Sequence, residues 1–367
     1  MKAAKEKACS RLQSENTLVL GRINEKSSSD KSQLDFDCDC IDRLFLDYSK
    51  DLKEFQSAAE KVEKEVGKKF APKKNRSGLL SETYADLDMY RRAGRVSDCG
   101  SFLQFVLTAE GGKLHQANFC RDRLCPMCNW RRSMKIFGQV SQVMDSIESE
   151  YEFLFLTLTV RNCAPELFPD TVDILFKGWR YLYNKCPDFK RAVLGTFRTF
   201  ETTINPKTGE YHPHLHTILA VRKSYFKKGY ISQKRWTALW REACCLDYDP
   251  IVDIRKISPE RSEADEEGVV SLAGAVAEVA KYAVKDTDFL TGSRVYRAEK
   301  VQTLLAGLTQ RRLVGWTGCF AKARKLLNLD DTETGDLIHT DGEQELREDV
   351  KKAIVSYGWK SGAYVKL

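Results

Sequence analysis

The chain has 367 residues, 42% hydrophobic and 30% charged, with a net charge of +7. That length suits two or three modules with at least one sizeable core, and the lack of any long unbroken apolar run excludes a membrane-spanning helix. The mild basic bias is compatible with a polyanionic partner without proving one, and the opening MKAAKEKACSRLQ has no apolar signal region, so a cytoplasmic protein is expected whose 12 cysteines are reduced and available to metal.

Residues 1 to about 40 are polar and aperiodic, and are expected to be flexible. From Asp42 to Lys68, Leu44, Leu46, Tyr48, Leu52 and Phe55 make a loose helical stripe, which ends at the basic stretch APKKNRSG, read as a linker. SFLQFVLTAEGGKLHQANF then predicts a hairpin about a Glu-Gly-Gly turn, with cysteines at both ends and a helix from Pro126 onward. FLFLTLTVRN, 153 to 162, reads as a strand. PDTVDILFKGWRYLYNK reads as an amphipathic helix burying Val172, Leu175, Phe176, Trp179 and Leu182. Strands at 193–204 and 210–221 surround the turn NPKTGE; a helix near SQKRWTALWREACC, a strand PIVDIRKI and a helix at about 268–286 follow. The order β-α-β-β-α-β-α predicts an α+β fold, a mostly antiparallel sheet with helices packed on it. The expected organisation is an N-terminal segment and linker (1–75), a zinc-binding hairpin-helix module (76–150), a catalytic domain (151–292), and a C-terminal helical and tail region (293–367), whose function is not readable beyond DNA contacts or oligomerisation.

CRDRLCPMCNW carries Cys120, Cys125 and Cys128. The two-residue gap between the last two lets thiolates share one tetrahedral Zn²⁺, and Cys99 is the natural fourth ligand, ahead of His115. Zinc here is expected to be structural, tying hairpin to helix. Arg121, Arg123, Arg131, Arg132 and Lys135, with Trp130, form a basic and aromatic patch suited to phosphates and an unpaired base; the competing reading is a solvated face. Cys244 and Cys245 read as core or incidental.

In EYHPHLHTILAV, strand periodicity puts His212, His214 and His216 on one face. Adjacent imidazoles repel when protonated and gain most as neutral metal ligands. With the turn centred on Pro206 to Gly209, Glu201 lies across from His214, assembling two nitrogens and one oxygen; a one-residue slip would turn Glu201 away. His212, next to the turn and before Pro213, is the weaker ligand. Such a site with open positions suits Mg²⁺ or Mn²⁺ doing Lewis-acid work, and zinc would also bind.

In AGAVAEVAKYAVKDTDF, helical spacing puts Leu272, Val276, Val279 and Ala283 on one face and Glu278, Tyr282 and Lys285 on another. By itself this is an ordinary solvated stripe. Beside the histidine strand, Tyr282 becomes a nucleophile for a phosphodiester, Glu278 an activator of water, and Lys285 a neutraliser of phosphate charge.

FLTLTV, the later HLH and the downstream EVAKYAVKD, in that order, resemble the HUH endonucleases, and the chain is most similar to the rolling-circle replication initiators (Rep proteins) of small Gram-positive plasmids. RLCPMCNWRRSMK and NLDDTETGDLIHTD also look like segments of that family, so the likeness covers about residues 95 to 341. The resemblance implies an HUH, ferredoxin-like core. It implies an enzyme that nicks one strand at a plasmid double-strand origin, with Tyr282 joined to the 5′-phosphate and a 3′-OH left for the host polymerase. It also implies His214 and His216 as metal ligands, and Glu278 in place of a second tyrosine, giving hydrolytic termination. The partners so implied are single-stranded or cruciform origin DNA and the host helicase and polymerase; a second copy of the chain is a further partner considered for the tail. The rivals are a single-strand transposase of the same superfamily, whose usual tyrosine pair is absent here, and a noncatalytic zinc-dependent DNA-binding regulator. A cupin-like metal oxygenase lacks a further histidine, since His115 and His339 are poorly placed.

Overall fold

The computed structural model describes residues 53–108, 111–258, 269–281, 283–340 and 353–367. The expectations for residues 1–52, and for Tyr282 itself, lie outside the described residues. Lys53–Leu367 form one compact unit.

The first helix runs on through the stretch read as a linker. Helix α1 (53–65) passes through a π-helical turn, Val66–Phe70, into α2 (Ala71–Asp86). A proline inside a helix lacks an N–H and crowds the carbonyl four residues back. Here Pro72 falls just after the π turn, where the N–H of Ala71 bonds the Val66 carbonyl, so the wider turn absorbs the misfit. The basic residues of APKKNRSG are also in use: Lys74 is buried and donates to the Ser97 carbonyl, and Arg76 pairs with Asp286 at 3.2 Å. Helix α3 (Tyr90–Asp98) then leads into strands β1 (Phe102–Thr108) and β2 (Gly111–Ala117), the expected hairpin, and helix α4 (Pro126–Ile147) follows.

The remaining elements are β3 (Tyr151–Thr159), α5 (Phe168–Lys185), α6 (Pro187–Ala192), β4 (Val193–Ile204), β5 (Tyr211–Arg222), α7 (Gln233–Cys244), β6 (Val252–Ser258), β7 (Val269–Ser271), α8 (Leu272–Val279), α9 (Asp286–Phe289), α10 (Arg294–Leu308), β8 (Val314–Thr317), α11 (Gly318–Leu326), β9 (Ala353–Lys360) and β10 (Ala363–Lys366). Among the described residues the strands form two sheets, β10-β9-β1-β2 and β7-β6-β3-β5-β4-β8, antiparallel except where β7 runs parallel to β6. The α+β expectation therefore holds. The strand-like end of the tail joins β1 and completes the hairpin's sheet.

The larger sheet is covered on both faces, which makes β5 a central strand and not the half-buried one its alternation suggests. Leu154, Leu156, Leu215 and Leu219 face α5 and α7, where Phe168, Leu175, Trp236 and Trp240 are buried. Phe153, Phe155, Ile218 and Ala220 face α4, α8 and α11, where Val140, Val276 and Phe320 are buried. Removing a large apolar side chain from water contributes about 1.5–3 kcal/mol, so these two interleaved layers hold the sheet rigid. Helix α11 packs closely on β4: Gly318 has φ 56°, and a Cβ there would lie 2.0 Å from the Leu194 carbonyl oxygen.

Candidate functional site

The β4–β5 hairpin has the register that the turn predicts: Glu201 pairs with His214 and Thr199 with His216. Glu201 Oε2 lies 3.1 Å from His216 Nε2 and 3.4 Å from His214 Nε2. Neighbouring ligands about 2.1 Å from a cation in octahedral geometry stand about 3.0 Å apart, so the three donors are spaced for a shared ion. Both rings are anchored from behind. His214 Nδ1 lies 3.0 Å from the His212 carbonyl oxygen, which can only accept, so Nδ1 carries the hydrogen and Nε2 offers its lone pair. His216 Nδ1 meets Thr157 Oγ1 at 3.2 Å, and its ring stacks on Phe155. Burial pushes the Glu201 carboxyl up, but hydrogen bonds and charge from the two imidazoles outweigh it and hold it down at about 2. His212 turns to Asn162 instead, its Nδ1 2.8 Å from Oδ1, and stands outside the three-residue ligand cluster.

Cys99, Cys120, Cys125 and Cys128 converge as a second cluster. Sulfur separations are 3.5 Å for Cys99–Cys128, 3.6 Å for Cys99–Cys125 and 3.7 Å for Cys120–Cys128. Four sulfurs about 2.3 Å from a tetrahedral zinc are about 3.8 Å apart, so the cage fits that ion. Backbone N–H groups point at the sulfurs: Arg121 N lies 3.2 Å from Cys128 Sγ, and Cys120 N lies 3.4 Å from Cys99 Sγ. Such donors favour thiolates. Hydrogen bonds to Cys120, Cys125 and Cys128, together with burial, push the Cys99 thiol up. Burial also opposes ionisation of Cys125, but hydrogen bonds from Cys120, Cys128, Cys99 and Ser77 hold it well below the usual thiol range.

The helix expected over 268–286 is shorter, ending at Val279. The chain then leaves helical geometry because Ala283 accepts a hydrogen bond from Thr202 N at 2.8 Å and Val284 bridges to Thr202, pulling the segment alongside β4. Glu278 remains on α8, its Oε1 3.7 Å from His216 Nε2. Lys285 is not on the same helical stripe, since it sits just before α9, and it is Lys281 that ion-pairs with Glu278. That i,i+3 pairing was readable from spacing, as was the place of Thr157 on a strand beside the histidines; both lie inside the quoted stretches FLTLTV and EVAKYAVKD, but neither side chain was given a role there.

The replication protein family model matches residues 111–365. A protein named Protein rep from Bacillus amyloliquefaciens is 40% identical over 292 residues, covering 74% of this chain and 86% of its own length. Another, from a Bacillus species, is 41% identical over 261 residues, with coverages of 68% and 84%, and one from Streptococcus pneumoniae is 36% identical over 280 residues, with 74% and 83%. The chain belongs to the replication protein family. No solved structure matches it.

The likeness to rolling-circle Rep initiators is thus borne out, and the chain is a plasmid replication initiator, a family role that implies binding to origin DNA. No helix among the described residues is long and apolar enough to cross a membrane.

The basic patch of this replication protein differs from its expected form. Lys135 is 1% exposed and pairs with Asp330 at 2.5 Å, and buried Arg131 donates to the Leu337 carbonyl at 2.8 Å and to that of Ile338. Trp130 packs edge-on against Phe70, with centroids 4.8 Å apart. These three side chains hold the segment 330–338 and the N-terminal helix against α4. The physical reason is charge: NLDDTETGD brings carboxylates and carbonyls that a buried lysine or arginine requires. Arg121, Arg123 and Arg132 lie nearer the surface. Arg121 donates to the Thr334 carbonyl at 3.0 Å, Arg123 to the Arg311 carbonyl at 2.6 Å and Arg132 to the Asp122 carbonyl at 3.1 Å. Together they line one side of a cleft of about 370 Å³ whose other side includes Thr199, Lys281 and Ala283.

Proposed function

We propose that this initiator nicks one strand of single-stranded or cruciform origin DNA through Tyr282 and closes the cycle with water activated by Glu278. The observation that carries this reading is the approach of Glu278 Oε1 to within 3.7 Å of His216 Nε2, which joins the acidic residue of the tyrosine motif to the histidine strand. Glu201, His214 and His216 would hold Mn²⁺ or Mg²⁺, which when bound withdraws charge from a phosphoryl oxygen. The phenol oxygen of Tyr282 attacks phosphorus and gives up its proton, the P–O3′ bond breaks, and the departing oxygen takes a proton to become the 3′-OH primer. The 5′-phosphate stays esterified to the tyrosine, so its bond energy is kept for resealing. Glu278, with a side chain 35% exposed, is accessible enough to take a proton from water in the terminating cleavage. Lys285 and Lys281 add positive charge on either side of Tyr282 in the sequence. Zinc on the four cysteines has a structural part. Host helicase and polymerase would act on the opened strand and its 3′ end.

The test uses a labelled origin oligonucleotide with Mn²⁺ on a denaturing gel. A retarded, protease-sensitive band is expected, absent in Tyr282→Phe. Glu278→Ala is expected to keep that band and to lose the second cleavage. A Tyr282→Phe protein that still forms the adduct would sink the proposal.

A further inference from the structure

The cleft between the cysteine module and the larger sheet is lined in part by Thr199 and Phe200, the two residues before Glu201 on β4. Its floor includes Thr199, which pairs across the strands with His216 and stands two residues from Glu201 on the same sheet face. Its rim includes Lys281 and Ala283, the residues on either side of Tyr282 in the sequence. At about 370 Å³ it falls at the small end of the range for small-molecule sites, room for one unstacked nucleotide and too little for a duplex.

The chemistry of the walls is that of a base-reading pocket. Asn129 and Ser133, one turn apart on α4, both face it. Asn129 Oδ1 accepts from Arg132 Nη1 at 2.9 Å, which fixes the amide and turns its NH₂ away from that bond. Glu333, at the opposite wall, accepts from Leu313 N at 3.1 Å through Oε1. A largely apolar cleft that carries an oriented amide, a hydroxyl and a carboxylate can tell bases apart by their donor and acceptor edges. Arg121, Arg123, Arg132 and Lys281 outnumber Glu333 and the Glu278 that pairs with Lys281, which leaves the cleft electropositive and suited to a phosphodiester.

We propose that this cleft is a base-specificity subsite, taking one unstacked nucleotide beside the scissile phosphate, with Asn129 and Ser133 reading its edge. The inference rests on the nicking reading, and it makes the cysteine module part of sequence choice: Arg121 has a left-handed backbone, φ 59°, and its N–H is directed at Cys128 Sγ.

The experiment presents the full chain, with Mn²⁺, to a single-stranded DNA library randomised throughout, sequencing both the bound and the cleaved pools. Wild type is expected to show a strong preference at one position within a nucleotide or two of the cut. Asn129→Ala and Ser133→Ala are each expected to weaken that preference roughly tenfold, the scale of one good side-chain-to-base contact, and to leave the other positions as they were. An abasic site at that position should bring wild type down to the level of the variants. Preferences unchanged in both variants, or weakened evenly along the whole sequence, would overturn the subsite. A wild type that cuts with no preference near the cut removes the subsite and spares the nicking proposal. Position-selective binding without any cutting overturns the nicking reading, and with it the placement of the subsite beside a scissile phosphate.

Discussion

His214 and His216 are usable as ligands because of what stands behind them. The His212 carbonyl and the Thr157 hydroxyl take up the Nδ1 positions and orient both rings. Thr157→Val keeps the shape of the strand and removes one of these anchors, so Mn²⁺ affinity measured by calorimetry is expected to fall about 10–100-fold, the usual effect of losing a partner behind a metal ligand. Glu201→Gln removes the charge that the imidazoles hold and is expected to abolish measurable Mn²⁺ binding at the site, with the hairpin still folded by circular dichroism. The pairing of Glu201 with His214 was legible in the sequence because a short turn and a two-residue repeat determine register. Thr157 was not, since a threonine on a strand has too many ordinary reasons to be there.

The elements around the cysteines were legible as far as local chemistry reached. CxxC, the hairpin and the helix from Pro126 follow from spacing and turn residues. What escaped is long-range: α4 presents Arg131 and Lys135 not to solvent but to the segment 330–338, some two hundred positions later. Helix α8 also ended early because of a strand contact that periodicity cannot see. Zinc removal tests the cysteine cage. A strong chelator is expected to release one equivalent of zinc, measured colorimetrically, and to lower the melting temperature; Cys125→Ser should do the same without chelator. The acidic segment gives a pH test. Asp331 accepts N–H bonds from Glu333 at 3.0 Å and Thr334 at 2.9 Å and pairs with Arg312 at 2.5 Å. Burial pushes its carboxyl up, yet these bonds hold it at about 2. A carboxyl lowered on folding stabilises the protein above its unfolded value, near 4, and ceases to do so as the pH falls through about 2. Asp331→Asn should therefore cost about 1 kcal/mol at neutral pH, a modest figure for a part-exposed group, and the gap in urea midpoints should close between about pH 4 and pH 2.

At the scale of the whole molecule, a three-layer core positions the Glu201–His214–His216 cluster, and Arg121, Arg123 and Arg132, close in sequence to the cysteines, line a cleft shared with Thr199 of the same strand. If the arginines act on phosphates, DNA affinity measured by anisotropy should fall steeply with added salt, and Arg121→Ala and Arg132→Ala should each flatten the slope of log affinity against log salt by roughly one. The smaller sheet carries a consequence in time. Strand β1 has β2 on one side and β9 on the other, yet β9 is translated long after both. At ribosomal speeds the interval is on the order of ten seconds or more, and throughout it one flank of β1 shows unpaired backbone groups. A growing copy is thus at its stickiest midway through synthesis, and slow codons between the two halves would lengthen the period in which neighbouring nascent copies can pair wrongly.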